Sequence, residues 1–301
     1  MSVTVITSAH SCGTTVSSLA LTLSAPNVSL LVEADCSQGS IRHGFQQGRW
    51  GPEIGLWHLA EAQLQDQLAE AFETHLRAMD SEGNRWILPG LTDPLQAATL
   101  AGTWEPLAGL LQVMDQGAGY DVFVDAGRLV AEPGRVHPTL YPAALLHRAD
   151  MVLLVVRNTL TSVAQTVPVA AALREELDRS GTGADALRIV MIAEESRSHG
   201  MRSDAIARRL QAPVVAMLPW DPATAQLFTH GSERPVKLAK APLAKQARTA
   251  CEQLAVDVRT RRLRLQMPPA AVSSPVVAGV LQRLAASRQQ VPQLGQEVPR
   301  G

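Results

Sequence analysis

A chain of 301 residues with 46% apolar content can bury one large α/β core or two small ones. With only 4% aromatic residues, that core must rest on Val, Leu, Ala and Ile. A formal charge of −1 excludes a global pull toward nucleic acid or anionic membrane, so any such binding needs a local patch.

The first predicted element is the apolar β-branched strand Val3 to Thr7. A loop of small residues, Ser8-Ala9-His10-Ser11-Cys12-Gly13-Thr14-Thr15, leads from it into a helix over Val16 to Leu23. A second strand, Val28 to Asp35, ends in a carboxylate. A loop of this kind leaves backbone N–H groups free at a helix N-terminus, where amides and helix dipole together favour an anion such as phosphate. Ser11, Cys12, Gly13, Thr14 and Thr15 are the candidate phosphate-binding residues, with Gly13 where the backbone must turn closely and Thr15 where a hydroxyl could reach Mg²⁺.

Cys36 to Gly55, with five glycines, reads as a mobile loop running into short helices. Leu64, Leu68, Ala71, Phe72, Leu76 and Met79 predict one helical face. Trp86 to Gly90 is a short strand and turn; Asp93-Pro94 caps and opens a helix, and another runs from about Glu105 to Asp115. Tyr120 to Gly127 is a strand carrying Asp125, with Gly127 two residues on. Ala149 to Arg157 holds the continuous apolar run Met151 to Val156, the pattern of a strand buried on both faces of a parallel sheet, and a helix over Thr159 to Leu177 follows, with Pro168 as a kink or local restart. Leu187 to Ala193 is a strand, Ser203 to Leu210 a helix, and Pro213 to Asp221 a last strand ending in Pro219-Trp220-Asp221. This alternation predicts an α/β fold, a doubly wound and mostly parallel sheet flanked by helices. A C-terminal helix and a tail complete it. The expected division is 1–240 for the α/β domain, 241–267 for the helix and 268–301 for the Pro-rich tail.

The helix from Pro242 carries an apolar stripe of Leu243, Ala247, Ala250, Leu254 and Val258, and ends in the basic run Arg259 to Arg264. Those cations either complement the helix C-terminus or contact nucleic acid or acidic lipid. In the tail, a short helix over Pro275 to Gln289 would place Val276, Val277, Val280, Leu281 and Leu284 on one face. That face either docks on a partner or membrane, or packs back on the domain.

Strand, small-residue loop, helix and Leu30-Leu31-Val32-Glu33-Ala34-Asp35 resemble the ParA/MinD family of P-loop ATPases, whose loop reads K-G-G-x-G-K-T. Aligned on Gly13 and Thr15, Ala9 stands at the signature lysine, His10 and Ser11 at the two glycines, and Thr14 at the P-loop lysine. The strand ending in Asp125 is similar to the family's Walker B strand. The resemblance extends over roughly residues 1 to 235. It implies that Asp35 and Asp125 are the catalytic carboxylates, that Thr15, Asp35 and Asp125 hold Mg²⁺, and that Gly127 senses the γ-phosphate. It further implies that the loop with Pro219 and Asp221 receives the base of ATP. Where the family often has asparagine before that loop, this chain has Ala193-Glu194-Glu195.

The function so implied is spatial positioning of DNA or of a pilus or secretion assembly, by a homodimer with a protein partner. DNA or membrane contact would come through the C-terminal region. Loss of both lysines predicts weak or absent hydrolysis, unless Arg42, Arg49, Arg128 or Arg157 replaces their charge; the alternative is an active ATP-dependent dimerisation switch. Cys12, Cys36 and Cys251 contain no C-x-x-C, and the spacing of His10, Cys12, Cys36 and His43 gives no zinc signature. The longest apolar run, Met151 to Val156, is too short to cross a bilayer, and no secretory signal pattern opens the chain. The expected location is cytoplasmic, with peripheral association to membrane or nucleoid.

Overall fold

The computed structural model describes residues 2–10, 12–37, 39–132, 134–180, 182–194, 200–232, 238–265 and 275–289. Its centre is an eight-stranded sheet. In chain order the strands are β1 (Ser2–Ser8), β2 (Ser29–Glu33), β3 (Arg77–Ala78), β4 (Arg85–Leu88) and β5 (Asp121–Arg128). The hairpin β6 (Ala131–Glu132) and β7 (Arg135–Val136) stands apart, and β8 (Met151–Arg157), β9 (Leu187–Ile192) and β10 (Val214–Leu218) complete the sheet. Their spatial order is β10-β9-β8-β1-β5-β2-β4-β3, parallel except for the antiparallel edge pair β3–β4. The expected doubly wound, mostly parallel α/β architecture is therefore present.

Both faces of the sheet are covered, so its central strands are apolar without alternation. Along β8, Val152, Leu154 and Val156 face one core, and Met151, Leu153 and Val155 the other. The first core is closed by α2 (Leu56–Gln63), α3 (Leu68–Phe72), α4 (Trp104–Ala118), α5 (Ala143–His147), α6 (Leu160–Ser180) and α7 (Ser203–Leu210). The second is closed by α1 (Thr14–Ser24), α8 (Pro222–His230) and α9 (Pro242–Leu265). The apolar stripe of α9 is buried against α1 and β10, and α6 runs through Pro168 as one helix without a restart.

One helix expectation fails. Residues 64–79 do not form one helix: the chain turns at Asp66, whose φ is +55°, and Leu64 is left 88% exposed. Only α3 and a 3-10 turn remain before the chain enters β3. The helical spacing there arises from the short α3, which buries Leu68 and Phe72, and from Leu76, buried where the 3-10 turn passes into β3. Asp93 does cap a helix, though a 3-10 one over Pro94–Leu100, in a capping box with Gln96.

The basic end of α9 turns inward. Arg261 is 4% exposed and donates to the carbonyls of Asp150 and Thr182 and to Asp185 at 3.1 Å. Arg262 pairs with Asp115 and with Asp150, whose Oδ2 also accepts from Val3 N at 2.9 Å. Burial still pushes the Asp115 carboxyl up to about 6, against the pull of Arg262. Arg264 lies 3.5 Å from Asp185. Most of the run is thus spent on tying α9 to the N-terminal ends of β1, β8 and β9 rather than on an external acid.

The tail helix α10 (Pro275–Gln289) folds back on α3 and α4. Val280 is fully buried, Val277 and Leu281 pack beside it, and Arg283 meets Glu73 at 2.8 Å. Of the two readings of this helix, the structure takes the packed one. The side chain of Leu284 and the segments 268–274 and 290–301 lie outside the described residues.

Two outcomes follow for denaturant unfolding. Arg262→Met leaves Asp115 and Asp150 buried without their cation and should cost about 3–5 kcal/mol. Val280→Asp should cost at least about 1.5–3 kcal/mol, the value of the lost apolar burial, while Val276→Asp on the exposed side changes stability little.

Candidate functional site: a cleft at the carboxyl ends of the central strands

The carboxyl ends of β1, β2 and β5 bring the site together. Parallel register sets Asp125 beside Ile6 on one side and Glu33 on the other. Ala34 N donates to Asp125 O at 2.8 Å and so fixes where the chain leaves β2 for Asp35. In parallel sheets the strand order reverses around the first strand, and ligands bind in the crevice so formed.

The loop from β1 to α1 turns at Gly13, whose φ of +96° is left-handed; a side chain there would also press on Ile192. Gly13 is the N-cap of α1 and offers no side chain, so the first amides of the helix stay open to an anion. Thr14 is buried, and its hydroxyl donates to Ser8 Oγ at 2.7 Å. Cys12 is buried and donates to Val155 O at 3.1 Å; burial pushes its thiol up to about 11, which makes it a packing residue rather than a thiolate. Cys36 and Cys251 are buried free thiols as well. Ser11 lies outside the described residues.

A cleft of about 800 Å³ opens above this loop. Gly13, Thr14, Thr15, Asp35, Gly127 and Arg128 line it. Six residues singled out in the sequence thus share one cavity. Asp125 lies beneath them, fully buried; its Oδ1 accepts from Gly127 N at 3.1 Å, and its Oδ2 has no hydrogen-bond partner. Burial pushes Asp125 up to about 7; the Thr15 hydroxyl beside it opposes the shift, and Glu33 and Asp35 add to it. Asp35 is half-buried and accepts from Ser37 N at 2.8 Å and Ser37 Oγ at 2.6 Å. Gly127, at φ +62°, brings its backbone so close to Asp35 that any Cβ would overlap the carboxylate.

Glu33 is the site residue that the sequence reading passed over. It is 1% exposed; Oε1 accepts from Ser40 N at 2.6 Å and Ile41 N at 2.8 Å, and Oε2 accepts from Gly90 N at 2.9 Å. Burial raises its carboxyl, while these amides and nearby Arg42 hold it down. A charged residue within the buried run Leu30-Leu31-Val32-Glu33 was the signal. Glu33 pins the loop expected to be mobile. Arg42 pins it further, with bonds to the carbonyls of Trp50, Gly51 and Ile54. The loop then reaches α8, where Phe45 meets Phe228 edge-on at 5.7 Å and Gln47 donates to His230 O.

A smaller, mostly apolar slot of about 180 Å³ lies on the other side of Gly13, between Ile192, Leu218, Pro219 and Trp220. Pro219 and Asp221 both line it. The Asp221 carboxylate, however, caps α8 through Thr224 N (3.1 Å) and Thr224 Oγ1 (2.7 Å), and accepts from Leu243 N at 3.3 Å. Those bonds hold it below the usual carboxylate range.

The four arginines considered as replacement cations separate. Arg42 is buried on carbonyls, and Arg49 pairs with Gln47. Arg157 lines the small slot, and Arg128 is exposed at the cleft wall. The chain's three lysines are Lys237, Lys240 and Lys245, and no described lysine lines the cleft. Among the described residues no cluster of three His, Cys, Asp or Glu forms a metal centre, so His10, Cys12, Cys36 and His43 do not gather as one.

The solved structures this chain resembles share its fold over most of its length. Septum site-determining protein MinD of Pyrococcus horikoshii OT3, solved with Mg-ADP, superimposes with a TM-score of 0.61 at 13% identity; the match covers 86% of this chain and 97% of that one. The fold is that of the ParA/MinD ATPases. MinD cell division protein of Aquifex aeolicus gives 0.60 at 17% identity over 84% and 96% of the two chains. A ParA family ATPase of Chlorobium tepidum TLS gives 0.59 at 14% over 83% and 98%. No protein-family model and no curated protein matches the chain.

Neutral Asp125 is the form the fold favours, because its pKa is raised above the unfolded value of 3.8 to about 7. Its contribution to stability is present in full below 3.8 and lost as pH rises through 7. Asp125→Asn should therefore gain on the wild-type chain by up to about 1.4 kcal/mol per pH unit across that window. Urea unfolding of both proteins from pH 4 to pH 8 measures it; a difference that does not change with pH refutes the assignment.

Proposed function

We propose that the protein is a ParA/MinD-like positioning protein that binds Mg-nucleotide in the cleft and hydrolyses ATP weakly or not at all. The observation that carries this reading is the pairing of an intact carboxylate side with an emptied cation side. Thr15, Asp35 and Gly127 line one cleft with Asp125 buried beneath them, while Thr14 at the lysine position folds back onto Ser8. The unpartnered, buried Oδ2 of Asp125 and the open amides of α1 suit a divalent cation and a phosphate. Thr15, Asp35 and Asp125 would hold Mg²⁺, which neutralises charge on the phosphates when bound. Gly13, Thr14 and Thr15 would hold phosphate through their amides, with Ser11 and Cys12 in the same loop. The Mg-ADP in the Pyrococcus horikoshii structure supports the same cofactors here.

Removing one preorganised donor from a charge-stabilising site costs about 2.7–4 kcal/mol in other enzymes. Two lysines are missing, and among the four arginines considered as replacements only Arg128 lines this cleft. Catalysis should fall further than binding, because the amide cradle and the carboxylates remain. Two carboxylates, Asp35 and Asp125, without a lysine also make nucleotide binding depend strictly on the metal.

The second reading is an active, ATP-dependent dimerisation switch of the partition type, with Arg128 supplying the missing charge. In either reading two copies would meet across Ser8 to Thr15 and Cys36 to Arg49. Cargo is then DNA or a pilus or secretion assembly, reached through a protein partner. DNA or membrane contact through the C-terminal region would rest on Arg259 and the tail, because Arg261, Arg262 and Arg264 are paired. No described helix is long and apolar enough to cross a membrane.

Mg-ATP binding and turnover, measured beside size in solution, decide between the two. Weak binding lost with a chelator, and turnover well below 1 s⁻¹, are expected. Turnover within the ordinary enzyme range of about 1 s⁻¹ or more, abolished by Asp35→Ala, would establish the switch. A chain that binds no nucleotide with Mg²⁺ contradicts both.

A further inference from the structure

One wall of the cleft belongs to a segment that the sheet holds only at its start. β5 ends at Arg128, which pairs in register with Ser8, and Leu129 N donates to Ser8 O at 2.8 Å. Beyond that bond the chain leaves the sheet, makes the β6–β7 hairpin and enters α5 past the fully buried Tyr141. Arg128 and Val130 at one end of the segment and Leu140 at the other all line the cleft. Arg128 is the one cation among the described residues that do so. His137 closes the base: its N donates to Val130 O at 2.9 Å, and its Nδ1 accepts from Thr139 N at 3.2 Å and Leu140 N at 3.0 Å.

The hairpin itself is fastened to α6. Glu176, with 7% of its side chain exposed, accepts from Val136 N at 3.2 Å, from His147 Nε2 at 2.7 Å and from Arg179 Nη2. An ionised carboxylate only accepts, so His147 Nε2 is the donor. Burial pushes the Glu176 carboxyl up, but His147, the Val136 amide and Arg179 outweigh it and hold it below the usual carboxylate range. Arg179 Nη1 donates in turn to Gly134 O at 2.6 Å. The hairpin's own ladder is only two residues long on each strand, too little to stand by itself. Charge-assisted bonds to a buried carboxylate are the stronger kind, and here they supply what the ladder lacks. The same helix reaches the phosphate loop: Ser162 Oγ accepts from Arg157 N at 3.2 Å and meets His10 Nε2 at 3.1 Å. One rigid helix thus touches both loop and hairpin, with Ser162 and Glu176 about 21 Å apart along it.

Resting on the reading of this cleft as a Mg-nucleotide site, we propose that Glu176 is a positioning residue for it: by fastening the β6–β7 hairpin to α6, its carboxylate holds the wall that carries Arg128 in place for phosphate. The guanidinium fork suits phosphate oxygens, and it works best when the backbone behind it does not move. Coupling between two sites is reciprocal. A ligand that binds better with this wall in place therefore also holds the hairpin on Glu176.

Amide hydrogen exchange over residues 129–140 and binding of Mg-ADP, both on the full chain, test this. Inorganic tripolyphosphate with Mg²⁺ serves as a second ligand without a base. In the wild-type chain, bound Mg-ADP should slow exchange at Val136. Glu176→Leu should speed that exchange and weaken both ligands about tenfold. Glu176→Gln, which keeps one acceptor oxygen, should restore part of both. Arg128→Ala should weaken both ligands, and adding Glu176→Leu to it should cost little more, because the carboxylate acts through the arginine. Val280→Asp, which disturbs α10 on α3 and α4, should leave affinity unchanged; a loss equal to that of Glu176→Leu would make the effect one of general stability and overturn the inference. Should Glu176→Leu not fold, Arg179→Leu removes the bonds to Glu176 and Gly134 from a half-exposed side chain, with the same faster exchange and weaker binding expected. Unchanged affinity in a variant whose hairpin exchange has risen, or exchange at Val136 that ignores bound ligand, overturns the inference while leaving the cleft a nucleotide site. Failure of the wild-type chain to bind either ligand overturns the reading of the cleft, and this inference with it.

Discussion

The structure depends on keeping a carboxylate, Asp125, buried at the end of the central strand pair. It lies in register between Ile6 of β1 and Glu33 of β2, with one oxygen on the Gly127 amide and the other on nothing. A buried charge in this position is costly, and the group stays nearer neutrality instead. That cost is sustained by the surrounding parallel sheet, whose apolar strands are covered on both faces. On the reading proposed above, a bound Mg²⁺ would remove that cost.

Around this point the chain divides its charges. Glu33 is satisfied by three amides, and with Arg42 it fastens the segment after β2 into ordered turns that reach α8. Asp35 is turned by Ser37 toward the cleft. At the amino ends of the strands, Arg261 and Arg262 are consumed by Asp115, Asp150 and Asp185. One end of the sheet is thus left rich in carboxylates and poor in cations, and the other is closed by internal ion pairs. The asymmetry gathers the candidate site residues at the carboxyl ends of the strands and the internal ion pairs at the amino ends.

The order of strands and helices was legible in the sequence wherever a strand was buried on both faces. Leu30 to Val32, Val122 to Val124 and Met151 to Val156 are apolar runs without alternation, Val3 to Thr7 is β-branched throughout, and each forms a strand of the central sheet. The stripe on α9 was equally plain. What failed was the region from Leu64 to Met79, where helical spacing came from separate short elements broken at Asp66. The edge strand β3 and the hairpin β6–β7 are two residues each, too short to leave a pattern.

At the site, sequence alone determined the residue types: a small-residue loop before a helix, and aspartates just beyond or within strands that the fold sets side by side. These are local properties, fixed by spacing along the chain. Only the tertiary structure decided which groups face the cleft. Thr14 turns in toward Ser8, Arg42 disappears into the loop it holds, Arg128 faces the cleft and Arg157 faces the slot beside Trp220. The reason is geometric: strand register and loop packing set the direction of a side chain, and residues more than a hundred positions apart, such as Ser8 and Arg128, meet through pairing that no local pattern records.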